Sequence, residues 1–166
     1  MSHLIAGIVL IITIMLQSGV ASRLTLFSGA TDLILLFLAA WGLQSQVKNV
    51  WLWTVIAGMA VSLMSAMPYF APIFGYLAIT VITHILKKRI WETPILAMLL
   101  VVFFGTLIQH ILYFIALVTA GTPLSWETSM NFITLPSLLI NMLLAIPVYA
   151  AVHEIVLFIK PVGATQ

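Results

Sequence analysis

From Thr93 to Gly121 the chain runs without a single Asp, Glu, Lys or Arg, and comparable runs cover Leu4 to Val20, Val50 to Met67 and Tyr69 to Leu86. Runs this long and this uniformly apolar do not fit the alternation of a barrel strand. They fit helices, which satisfy their own backbone hydrogen bonds in lipid. Composition agrees: 63% of residues are hydrophobic and 6% charged, against about 25% charged in soluble domains. So few charges cannot cover a water-facing surface. At about 20 residues per span, 166 residues accommodate roughly six helices joined by short loops, with no room for a soluble domain. The expectation is an all-α, polytopic membrane protein: a six-helix bundle forming one transmembrane domain over residues 1–166.

Half of the six Lys and Arg residues are consecutive, Lys87-Lys88-Arg89. Three neighbouring cations mark a place where the chain meets water, and the positive-inside bias makes that water cytoplasmic. Six spans put both termini on one side. With the Lys87 loop inside, Lys48 and Lys160 also fall inside and only Arg23 falls outside. This orientation has N- and C-termini in the cytoplasm. The net charge of +2 follows from that distribution, and there is no basic surface on which nucleic acid would lie.

Taken in order, helices are expected at about 4–21, 30–46, 50–67, 71–89, 94–120 and 134–159. The first resembles a signal peptide in length, with small residues at Gly19-Val20-Ala21. Its leading residues lack Lys and Arg, so it reads as an uncleaved helix. Residues 21–30 form a polar connection. The second run, Leu33 to Leu43, is shorter than a full span, and Asp32 suits its N-terminus, where the helix dipole favours an anion. Trp51 and Trp53 suit an interfacial belt. Gly58, Ser62 and Ala66 recur every four residues, a small-residue stripe that lets a neighbouring helix or a partner approach closely. Pro72 and Pro94 occupy first-turn positions, the latter behind an N-capping Thr93. Gly121 and Pro123 stop the fifth helix. Thr122 to Asn131 reads as the longest late loop, and Pro147 lies inside the sixth helix.

Polar groups within membrane helices are functional candidates. Thr106, Gln109, His110 and Tyr113 share a broad face of the fifth helix, and Ser137 and Asn141 lie four apart on the sixth. Thr106, Gln109, His110, Tyr113 and Asn141 form a candidate intramembrane polar pocket. The plainer reading is that they join the helices, at about 0.6 kcal/mol per hydrogen bond in measured membrane proteins. The absence of cysteine excludes disulfides, thiolate metal sites and a cysteine nucleophile. His84, His110 and His153 lie on three helices at different depths, so no shared metal site is expected. No serine, histidine and acid share a depth, and paired mid-membrane acids are absent, so neither catalytic residues nor an ion-driven pump are expected. Asp32 and Glu154 are both placed near the interfaces.

The early Asp32-Leu33-Ile34-Leu35-Leu36-Phe37, the mid-chain turn before a basic cluster, and the closing Asn141, Pro147 and Tyr149 together resemble the rod shape-determining protein MreD family. The resemblance covers almost the whole chain, although its motifs are mostly aliphatic. Thr31 stands where the family commonly has proline and Ser62 where it often has an acid. The resemblance implies a non-catalytic bacterial inner-membrane subunit with no cofactor, in a fold similar to substrate-binding subunits of energy-coupling-factor transporters. It implies MreC as direct partner. The RodA glycosyltransferase, a class B penicillin-binding transpeptidase and MreB would belong to the same complex. The alternative on the same fold is a substrate-binding subunit of a vitamin-type transporter, holding a small solute among Gln109, His110 and Asn141.

Overall fold

The structure is a computed structural model and describes residues 2–19, 25–26, 28–47, 49–89 and 93–159. Its six helices are α1 (Ser2–Gly19), α2 (Leu33–Leu43), α3 (Val50–Met64), α4 (Phe70–Arg89), α5 (Pro94–Thr119) and α6 (Trp126–Ile159). Three of them, α4, α5 and α6, are long and apolar enough to cross a membrane. The outer surface is apolar: Leu63, Leu143 and Phe158 are among the most exposed side chains. Arg23, Lys48 and Lys160, which entered the orientation count, lie outside the described residues.

The bundle is arranged around α2. Every residue from Ile34 to Leu43 is buried, so this helix is enclosed by the others. Its sequence is compatible with this, being apolar on all sides with no polar stripe to turn outward. It is also shorter than the expected 30–46. Asp32 has an extended backbone (φ −111°, ψ 90°) and caps the helix, its Oδ1 accepting from Leu35 N at 2.9 Å. At the other end Gln44 returns to extended backbone (φ −64°, ψ 128°). Eleven residues rise about 16 Å, roughly half of a hydrocarbon core about 30 Å thick.

The 21–30 connection holds a small antiparallel hairpin, β1 (Thr25–Leu26) and β2 (Gly29–Ala30), with Thr25 opposite Ala30. Helix α3 ends three residues before the expected 67, at Met64, because Ser65 turns extended and Pro68 follows. The backbone ahead of a proline avoids helical geometry. Pro72 sits in the first turn of α4. Helix α5 closes with Gly121 at φ 87°. Thr122 N donates to Leu117 O and Gly121 N to Val118 O, both 3.0 Å, which is a Schellman ending.

The sixth helix departs most from expectation. It begins at Trp126 rather than 134, so most of the anticipated 122–131 loop is helical. Ser125 caps it by accepting from Thr128 N at 3.2 Å. The chain then runs through a π-helical segment, Ser129–Thr134, into regular helix from Leu135. Pro136 has no N–H to offer the carbonyl four residues back. Phe132 O instead accepts from Ser28 N in the hairpin at 3.1 Å. Gly29 makes this approach possible, since a Cβ there would lie 2.6 Å from Ser137 N and 2.8 Å from Ile133 O.

Candidate functional site

A buried helix of half-membrane length leaves its terminal N–H and C=O groups away from water, and each unsatisfied group in an apolar setting is costly. Two groups of polar side chains gather at the two ends of α2.

At the N-terminal end, the Asp32 carboxyl accepts from Leu35 N, from Tyr76 OH of α4 (3.0 Å to Oδ2) and from Gln109 Nε2 of α5 (2.9 Å). Gln109 Nε2 also donates to Tyr113 OH at 2.8 Å. Asn141 of α6 supplies Oδ1 to the Asp32 N–H (2.9 Å) and to Thr31 Oγ1 (3.1 Å). Its Nδ2 donates to Thr106 Oγ1 at 3.2 Å. Gln17 of α1 closes the ring by accepting from Leu33 N (2.7 Å) and donating to Thr31 O (3.0 Å). Ser137 Oγ accepts from Ala30 N at 3.0 Å. Four helices thus converge on the two residues that precede α2.

The structure therefore places four of the five expected pocket residues, Thr106, Gln109, Tyr113 and Asn141, around Thr31 and Asp32. His110 turns away: its Nδ1 lies 3.1 Å from Thr134 Oγ1 in the π segment. Asp32 sits beside Gln109, ten residues before the end of α5. At about 1.5 Å per residue that is roughly 15 Å into the bundle. The sequence reading missed Gln17, Thr31 and Tyr76 as members. One atom of the cluster stands apart: Gln109 Oε1 is buried without a hydrogen-bond partner.

At the C-terminal end, Lys87 Nζ donates to the carbonyls of Gly42 (3.0 Å), Gln44 (2.5 Å) and Val47 (3.3 Å). A cation here also complements the negative end of the helix dipole. Lys87 was expected to lie in water with its neighbours; only Lys88 and Arg89 are exposed, because the short α2 presents carbonyls that Lys87 can reach. Gln44 Nε2 donates to Ala40 O, and Gln44 Oε1 lies 2.9 Å from His153 Nδ1 of α6. His153 in turn stacks on Tyr149, with ring centroids 6.0 Å apart.

The small-residue stripe is shared between two fates. Gly58 packs against α4, where an added Cβ would lie 2.9 Å from Ile73 Cα. Ser62 Oγ donates to Gly58 O and Tyr69 O, both 2.7 Å. Ala66 lies past the helix end and is exposed, so it does not continue the stripe. Among the described residues no group of three or more His, Cys, Asp or Glu side chains could hold a metal ion.

No family model, curated protein or solved structure matches this chain.

Proposed function

We propose that this protein is a non-catalytic scaffold subunit of the bacterial rod (elongation) complex, in the manner of the MreD family, residing in the inner membrane. In this reading it binds MreC directly and helps to organise peptidoglycan synthesis and cell shape alongside RodA, its class B transpeptidase and MreB. Both termini face the cytoplasm, and the fold is related to the substrate-binding subunits of energy-coupling-factor transporters. The observation that carries the reading is where the polar groups are spent. Thr106, Tyr113, Asn141 and the Gln109 amide nitrogen bond to other parts of the same bundle. They fix α2 rather than present donors to a solute. A bundle so committed internally has its outward apolar helix faces left for partners, which meet it by close packing in lipid.

Pull-down of the tagged protein from native membranes tests this. MreC is expected among the captured proteins, and repeated capture without MreC would remove the main support for the assignment.

The alternative, a substrate-binding membrane subunit for a vitamin-type solute, is favoured by one atom. Gln109 Oε1 is buried and unpartnered beside Asp32, Tyr76 and Tyr113, as a ligand-binding acceptor would be. A small molecule retained through purification and seen by mass spectrometry would shift the assignment to that class.

A further inference from the structure

A second constellation lies at the opposite end of the bundle and is independent of the polar ring around Asp32. The C-terminal half of α4 places Thr80, His84 and Lys88 four residues apart, so they stack along one face. Thr83 and Lys87 form the adjoining row. Together with Trp51 from the first turn of α3 they line a groove of about 320 Å³, whose floor includes Gly42 and Val50. This volume lies at the small end of ligand sites, suited to a headgroup rather than a large solute.

The lining has two lysines and a histidine and no acid. The Lys87 ammonium gives its donors to three carbonyls, so it contributes charge. His84 and Lys88 are exposed and have side chains available to a ligand. The first turn of α3 adds the positive end of a helix dipole. Immediately along the two helices the surface becomes apolar: Val81 and Ile85 on α4 and Leu52 and Val55 on α3 are exposed. A positive pocket opening onto an apolar helix face matches a molecule with an anionic head and hydrocarbon tails. Basic pockets between membrane helices bind such headgroups.

We infer that the Trp51–His84–Lys88 groove is a binding site for the phosphate headgroup of an anionic phospholipid. Its acyl chains lie along Val81 and Ile85. The lipid would occupy the crevice between α3 and α4, bridging helices that are otherwise joined there by the Thr54–Thr80 hydroxyl pair.

The test is native mass spectrometry of the purified full chain with phosphatidylglycerol or phosphatidylcholine added at equal concentration. Phosphatidylglycerol adducts should predominate. Lys88→Gln should reduce them about fivefold, the worth of one basic residue near an anionic lipid surface, and His84→Gln should reduce them in the same direction. Arg89→Gln, an equal change of charge on a side chain outside the groove, should leave them within twofold. Equal retention of both lipids would overturn the site, as would equal losses in Lys88→Gln and Arg89→Gln. Displacement of the lipid by millimolar inorganic phosphate would assign the groove to the free anion instead. All three substituted side chains are exposed, and an unchanged unfolding profile verifies that each variant is folded.

Discussion

Replacing Asp32 by alanine removes three hydrogen bonds at the point where α1, α4, α5 and α6 meet the start of α2. Loss of the cap on Leu35 N costs about 1 kcal/mol. Tyr76 is buried, and its hydroxyl loses its acceptor, at about 1–3 kcal/mol for a stranded polar group. Gln109 Nε2 keeps Tyr113 as a partner and adds little. The sum is roughly 2–4 kcal/mol. The lower end is the better expectation, because hydrogen bonds in membrane bundles average about 0.6 kcal/mol. Asp32→Asn behaves differently. Its Oδ1 still caps Leu35 and faces Tyr76, while a rotated Gln109 amide can turn the unpartnered Oε1 towards the new Nδ2. That variant should lose about 1 kcal/mol or less. The assay is reversible unfolding in mixed micelles, comparing both variants with the parent chain. Asp32→Ala within about 0.5 kcal/mol of the parent, or an asparagine variant as unstable as the alanine one, would refute the claim that this carboxyl organises the bundle.

Three further outcomes are expected. Gly58→Leu should destabilise the isolated protein by about 1–3 kcal/mol or more, because Ile73 Cα occupies the space a side chain needs; normal stability with lost partner capture would instead put Gly58 on the outside. Lys87→Met should destabilise by about 1.5–3 kcal/mol, the scale of charge-assisted bonds, whereas Lys88→Met should change unfolding by less than about 0.5 kcal/mol; chemical denaturation of the two variants side by side decides it. Gly29→Ala should destabilise by about 1–3 kcal/mol, since Ser137 N and Ile133 O stand where its methyl would go; proteolysis of the hairpin reads the loosening directly.

The features legible in the sequence are those set by neighbours in the chain. Asp32 ahead of an apolar run and Gly121 before Pro123 mark helix ends through bonds made within a turn or two; Pro94 opens α5 at its first position, but the Thr93 side chain expected to cap it makes no capping hydrogen bond. The uniform hydrophobicity of Leu33 to Leu43 was visible as well, but not its enclosure, since an all-apolar surface suits lipid and protein equally. Helix α6 was misjudged because Trp126 to Asn131 is polar enough to pass for a loop. Its helical start depends on the Ser125 cap, and the π segment beyond it carries the Phe132 carbonyl that Ser28 holds from more than 100 residues away. Helical spacing groups Thr106, Gln109, His110 and Tyr113 on one broad face. Spacing does not say which helix sits opposite, and so could not separate Gln109, bonded to Asp32, from His110, beside Thr134.

The brevity of α2 bears on how the protein is made. An apolar stretch of this length is shorter than a full span, and although Gln17 and Asp32 precede it, the other side chains that hold its ends, from Tyr76 and Lys87 to Asn141 and His153, are synthesised after it. The segment emerges from the ribosome early and is seated late. Its set of polar partners is complete only once the last helix has been made.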